Sequence, residues 1–127
     1  MRYSIEKADK YTKFTLEEDK MDTLIAPKVK SELVTLYQTG TVNLIFDLSQ
    51  VKYVDSSGLS ALLLGNRSAK GNEGIFILVG LNEHVRKLIH ISKLDQVFEI
   101  LPTVEEGVDR AFLHELEKDL NQEGGIE

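Results

Sequence analysis

Two adjacent serines, Ser56 and Ser57, stand between Asp55 and Gly58, and no other side chains in this chain are as well placed to do chemistry. Asp and Ser are favoured helix N-caps, and an apolar stretch at 59–64 follows at once, so a helix starts within this tetrad. The first N–H groups of a helix have no intrahelical partner and lie at the positive end of its dipole. A hydroxyl held there is exposed, and a phosphate on it is tolerated. Read alone, the serine pair needs no explanation beyond helix capping.

Other constellations do not assemble. A hydrolase elbow needs Gly two residues before the nucleophile, whereas Val54 and Asp55 hold those places before Ser56 and Ser57. The spacing of His84, His90 and His114 matches no metal-binding pair, and nothing in the sequence brings them to Ser57. The stretch Gly71-Asn72-Glu73-Gly74 lacks the Lys-Ser/Thr of a phosphate-binding loop and reads as a turn. No enzyme site, metal site or cofactor is expected.

The elements that must position the serines follow from hydrophobic periodicity. Residues 3–6 and 11–16 alternate around a turn at Ala8-Asp9-Lys10, which predicts an antiparallel hairpin. A polar loop over 17–23 leads to a helix in which Ile25, Val29, Leu33 and Leu36 form one apolar stripe. Asp22 or Thr23 is its expected cap, Pro27 fits its first turn, and Gly40 ends it. The run Leu44-Ile45-Phe46-Asp47-Leu48 marks a buried strand over about 42–48, followed by a helix over about 57–70. Gly65 inside that helix costs about 1 kcal/mol relative to Ala and reads as a close-packing position. The continuous apolar run over 75–79 predicts a strand covered on both faces, parallel to the preceding strand by a right-handed crossover. Asn82 caps a short helix with Val85, Leu88 and Ile89, and a last strand covers 97–101. Thr103 to Glu106 has the capping-box pattern of a final helix whose apolar face is Val104, Val108, Ala111 and Phe112. From Glu117 onward the chain is polar, so 117–127 reads as a frayed tail after a single domain over 1–116.

Composition narrows the classes. A 127-residue chain with 42% hydrophobic residues builds one core. Its net charge of −6, without a basic run, argues against nucleic acid and for a protein or small-molecule partner. There is no cysteine, hence no thiolate site. No segment has the roughly 20 apolar residues of a membrane span, and the first residues form no signal-peptide core, so membrane insertion is not expected and the cytoplasm is the default location.

The motif Asp55-Ser56-Ser57-Gly58-Leu59, set after a hydrophobic strand and within the element order above, resembles the signature of the STAS domain, found in sulfate transporters and bacterial anti-sigma factor antagonists. The resemblance covers about residues 3–116. It implies an α/β fold, the anti-sigma factor antagonist-like (STAS) fold, with a mixed β-sheet and helices packed on one face. It also implies that Ser57, the Ser immediately before the Gly, is the phosphoacceptor. In that family the unphosphorylated antagonist sequesters an anti-sigma factor, itself a serine kinase of the histidine-kinase-like ATPase type, and so regulates transcription; a serine phosphatase resets the switch.

The resemblance further implies a partner-binding surface comprising Met21, Asp22, Thr23, Asp55, Ser56, Gly58, Leu59, Ser60 and Asn82. Its first part matches the Gly-Glu-Leu-Asp loop of relatives, here Asp19-Lys20-Met21-Asp22, with Lys20 in place of an acid. Asp22 is equally explained as a helix cap. Lys93 stands where relatives commonly carry Gly, a departure that concerns a helix end. The second functional class is an accessory STAS subunit of a membrane transporter complex, which needs no phosphoacceptor. Oligomeric state is left open by the sequence.

Overall fold

The computed structural model describes residues 1–124. Strands β1 (Tyr3–Lys7) and β2 (Thr12–Leu16) form the expected antiparallel hairpin, closed by the Ala8 N–H donating to the Tyr11 carbonyl at 2.9 Å. The chain then runs through β3 (Lys20–Met21), α1 (Ala26–Gln38), β4 (Leu44–Asp47), β5 (Tyr53–Val54), α2 (Ser56–Gly71), β6 (Phe76–Val79), α3 (Glu83–Ile91), β7 (Glu99–Leu101) and α4 (Val104–Gly124). The main sheet has the order β1-β2-β4-β6-β7, with β1 antiparallel to β2 and every other pairing parallel. It is the mixed sheet that the resemblance implies.

Alternation along β4 and β6 divides the interior in two. Leu44 and Phe46, with Phe76 and Leu78, face α1, α2 and α3, which contribute Val29, Leu33, Leu62, Val85 and Ile89 to the larger core. An aromatic series crosses this face from strand to strand: Tyr3 on Phe14 at 5.3 Å, Phe14 on Phe46 at 4.9 Å, Phe46 near Phe76 at 6.1 Å, and Phe76 near Phe98 at 6.5 Å. A Cβ on Gly65 would collide with the Phe76 ring, so this glycine lets α2 lie directly on β6. Gly40, at φ +110°, turns the chain out of α1 in the left-handed region, and the Thr41 N–H closes back on the Leu36 carbonyl at 3.0 Å.

Four features depart from the sequence reading. The arrangement with helices on one face holds for α1, α2 and α3, but α4 lies against the other face. There Ile45, Ile77 and Val79 meet Val104 and Val108, and Gly107 stands close to Ile45 and Val79. Strands apolar on both sides need such a second cover. Helix α4 continues through Gly124, over positions expected as tail; positions 125–127 of that expectation lie outside the described residues. Its apolar face also differs: Ala111 is buried, but Phe112 is 50% exposed. The two-residue strands β3 and β5 replace stretches read as loop and link. They pair with each other in parallel, Lys20 with Tyr53 and Met21 with Val54.

Candidate functional site

Asp55 is the N-cap of α2. Its backbone is extended, and its Oδ1 accepts the Gly58 N–H at 3.0 Å, satisfying one of the free donors of the first turn. Ser56 and Ser57 therefore occupy the first two helical positions, Ser56 exposed and Ser57 half-buried. Gly58 is dictated by a close approach: a Cβ would strike the Met21 carbonyl and the Val54 side chain. The serines are thus held between a cap that fixes the helix start and a glycine that presses that start against β3.

Backbone hydrogen bonds join this turn to the loop before α1. The Asp19 carbonyl accepts the Lys52 and Tyr53 N–H groups at 2.8 and 3.1 Å, and the Asp55 N–H donates to the Met21 carbonyl at 3.3 Å. Asp22 organises the approach to α1. Its Oδ1 accepts the Leu24 and Ile25 N–H groups at 3.1 and 3.3 Å, while its carbonyl accepts the Ala26 N–H at 2.8 Å. It caps the turn that precedes α1, whose own N-cap position, Ile25, has no side-chain bond. Asn82 adds the third segment. Its Oδ1 accepts the Val85 N–H at 2.8 Å, capping α3, and its Nδ2 donates to the Lys52 carbonyl at 3.2 Å and the Val51 carbonyl at 3.4 Å. Three helix starts are thereby fastened together beyond the C-terminal ends of β4 and β6, the end of a parallel sheet where α/β proteins commonly place their sites.

The residues singled out in the sequence separate by exposure. Thr23, Ser56, Ser57 and Ser60 line one open groove of about 360 Å³ between α1 and α2, completed by Ala26, Pro27 and Lys30. Asp22 and Asp55 are half-buried, with carboxylates engaged on backbone N–H groups. Met21, Gly58 and Leu59 are buried, which corrects their expected place on a binding surface: the β3–β5 pairing takes Met21 into the core, and the packing of the α2 start takes Gly58 and Leu59 there, so they support the site from beneath.

Sequence reading missed Lys30, Leu24 and Tyr53. Leu24 is 77% exposed, one position outside the apolar stripe of α1 and so an apolar side chain with no core to enter. Tyr53 stacks on His84 at 5.6 Å, and its exposed face could have been found only by recognising β5 as a strand. The histidines stay apart. His90 pairs with Asp95 at 2.9 Å, holding that carboxyl below the usual carboxylate range, and His114 bonds the Glu73 carbonyl at 3.0 Å. Among the described residues no cluster of His, Cys, Asp and Glu could hold a metal ion, and no helix is long and apolar enough to cross a membrane.

Comparison with known proteins agrees with this geometry. The anti-sigma-B factor antagonist of Listeria monocytogenes is 31% identical over 80 residues, which cover 63% of this chain and 70% of that protein. An anti-sigma factor antagonist from Mycobacterium paratuberculosis superposes with a TM-score of 0.77 at 23% identity, over 87% of this chain and 92% of the other. The Bacillus cell fate determinant SpoIIAA in its phosphorylated form superposes at 0.67 with 22% identity, over 86% and 98% of the two chains. At these identities the two structural likenesses establish the fold. The STAS domain family model matches residues 3–107, which take in the whole sheet, α1, α2, α3 and the first turn of α4, and the chain belongs to the STAS domain family.

Proposed function

We propose that this protein is an anti-sigma factor antagonist: a binding module that sequesters an anti-sigma factor while Ser57 carries a free hydroxyl and releases it when Ser57 is phosphorylated. The supporting relative is the Listeria protein of that name, and the observation that carries the reading is the presentation of Ser57 in an open groove at a capped helix start. The partner is a serine kinase of the histidine-kinase-like ATPase type, and a serine phosphatase reverses its action, as in the family it resembles.

The physics of the switch follows from the site. Phosphorylation adds about −1.5 to −2 charges at one point. The start of α2 offsets part of that charge through its dipole, so the fold survives. Docking is what suffers, because the new dianion must be desolvated at an interface on a chain already at −6. The groove supplies contacts through the hydroxyls of Thr23, Ser56 and Ser60, the exposed Leu24 and Tyr53 of the adjoining segments add apolar surface, and Asp22, Asp55 and Asn82 hold these segments in shape.

The test is incubation with the candidate ATPase kinase and ATP, followed by peptide mass spectrometry. The expected result is one phosphate, on Ser57, absent from Ser57→Ala. Modification elsewhere with Ser57 untouched would remove the switch from this residue. A transporter adaptor has no use for the phosphoacceptor, and co-purification with a permease in place of an ATPase would favour that class.

A further inference from the structure

We propose that Lys30 is the counter-ion of phosphorylated Ser57, holding the phosphate within the groove between α1 and α2. The inference rests on Ser57 being the phosphoacceptor, and it concerns what becomes of the phosphate once attached.

Lys30 comes from α1 and Ser57 from α2, and both line the same groove of about 360 Å³. Lys30 is half-buried, and among the described residues no carboxylate lies within 4.0 Å of its ammonium group. The acids nearest in sequence to the groove walls, Asp22 and Asp55, are turned onto backbone N–H groups and contribute nothing to its lining. The polar residues that share the groove with Ser57 are therefore one cation, Lys30 from α1, with Ser56 and Ser60 from α2 and Thr23 from the loop before α1. On a chain of net charge −6, a groove with a lysine and no carboxylate is a local reversal of sign.

A phosphoserine dianion presents three acceptor oxygens, and an ammonium group presents three donors. Their pairing is charge-assisted and joins α1 to α2 across the groove. Lys30 would then stabilise the phosphorylated form itself and keep the phosphate at the α1–α2 junction, on the surface that the unmodified chain offers to a partner.

The test uses the full chain with phosphoserine inserted at position 57 during translation, so neither kinase nor partner is required. Titration followed by ³¹P NMR reads the second ionisation of the phosphate. With Lys30 present the midpoint is expected about half a unit to one unit below the ordinary value of about 6, the size of one nearby charge in a largely aqueous setting. Lys30→Gln should raise it by about half a unit to one unit relative to wild type, leaving the contribution of the α2 start in place, and Lys30→Arg should keep it low. Thermal melting should show phosphorylation raising the midpoint more in wild type than in Lys30→Gln, with the two unmodified chains melting alike. Equal ³¹P midpoints in wild type and Lys30→Gln would overturn the inference. Failure of a kinase to modify Ser57, or of the phosphate to weaken docking, would instead count against the proposed function and leave this titration unaffected.

Discussion

The two faces of the sheet are built to different standards. On one, Phe14, Phe46, Phe76 and Phe98 follow one another in ring-to-ring contact beneath α1, α2 and α3, and the starts of all three helices are tied to one another by backbone and Asn82 hydrogen bonds. On the other, a single helix covers Ile45, Ile77 and Val79, and it leaves Phe112, Leu113, Leu116 and Leu120 exposed along its length. The difference teaches where positional precision is needed. Under the proposed function one hydroxyl has to be held in a single geometry both for docking and for modification, and the deeper core lies under it; the α4 face closes the sheet and lines no part of the groove.

The largest expected effect is on the aromatic series. Phe46→Ala removes its middle member and should cost about 3–5 kcal/mol in chemical denaturation. Loss of the same size on truncating the exposed Phe112 to Ala would erase the distinction between the faces. Next is Gly58→Ala, whose methyl group must displace the Met21 carbonyl; about 1–3 kcal/mol is expected, as for overpacked interiors. Gly71→Ala is the control, since a Cβ there meets nothing within 4 Å, and it should be neutral or slightly stabilising.

Smaller effects sharpen the picture at the helix ends. Asp55→Ala should cost about 1 kcal/mol through the lost cap, and should also slow phosphorylation of Ser57 by loosening the helix start that presents it. Lys93 sits at φ +59°, in the left-handed region where glycine is at ease, just past the end of α3. Lys93→Gly should therefore raise stability by about 0.5–1 kcal/mol in denaturant titrations without changing phosphorylation. Leu116→Gln on the outer side of α4 should stay within about 0.5 kcal/mol of wild type.

Much of this was legible in the sequence because it was written in periodicity and caps. Val29, Leu33 and Leu36 of the α1 stripe, the continuous run ending at Val79, the Asn82 cap, and Gly65 as a packing position all appear in the structure as residues alone suggested, whereas Ile25, read as the first member of that stripe, is the half-buried residue just before α1. The pairing of β3 with β5 was not legible, since two residues carry no period and their partners lie more than thirty positions apart. For the same reason Met21 and Leu59 read as surface when the pairing and helix packing bury them. The side taken by α4 was hidden because an amphipathic helix states that it has an apolar face but not which face of the sheet it meets. The groove was half visible: its serines stand in a motif, whereas Lys30 joins them only through the packing of α1 on α2.

The most direct trial of the proposed switch is the affinity of the candidate anti-sigma factor for three forms of the chain, measured by calorimetry: unmodified, Ser57→Ala, and phosphorylated at Ser57. The unmodified and alanine forms should bind alike, and the phosphorylated form should bind at least about a hundredfold more weakly, some 2.7 kcal/mol. Equal affinity for all three would contradict the account, because a phosphate that leaves docking unchanged cannot be what controls it.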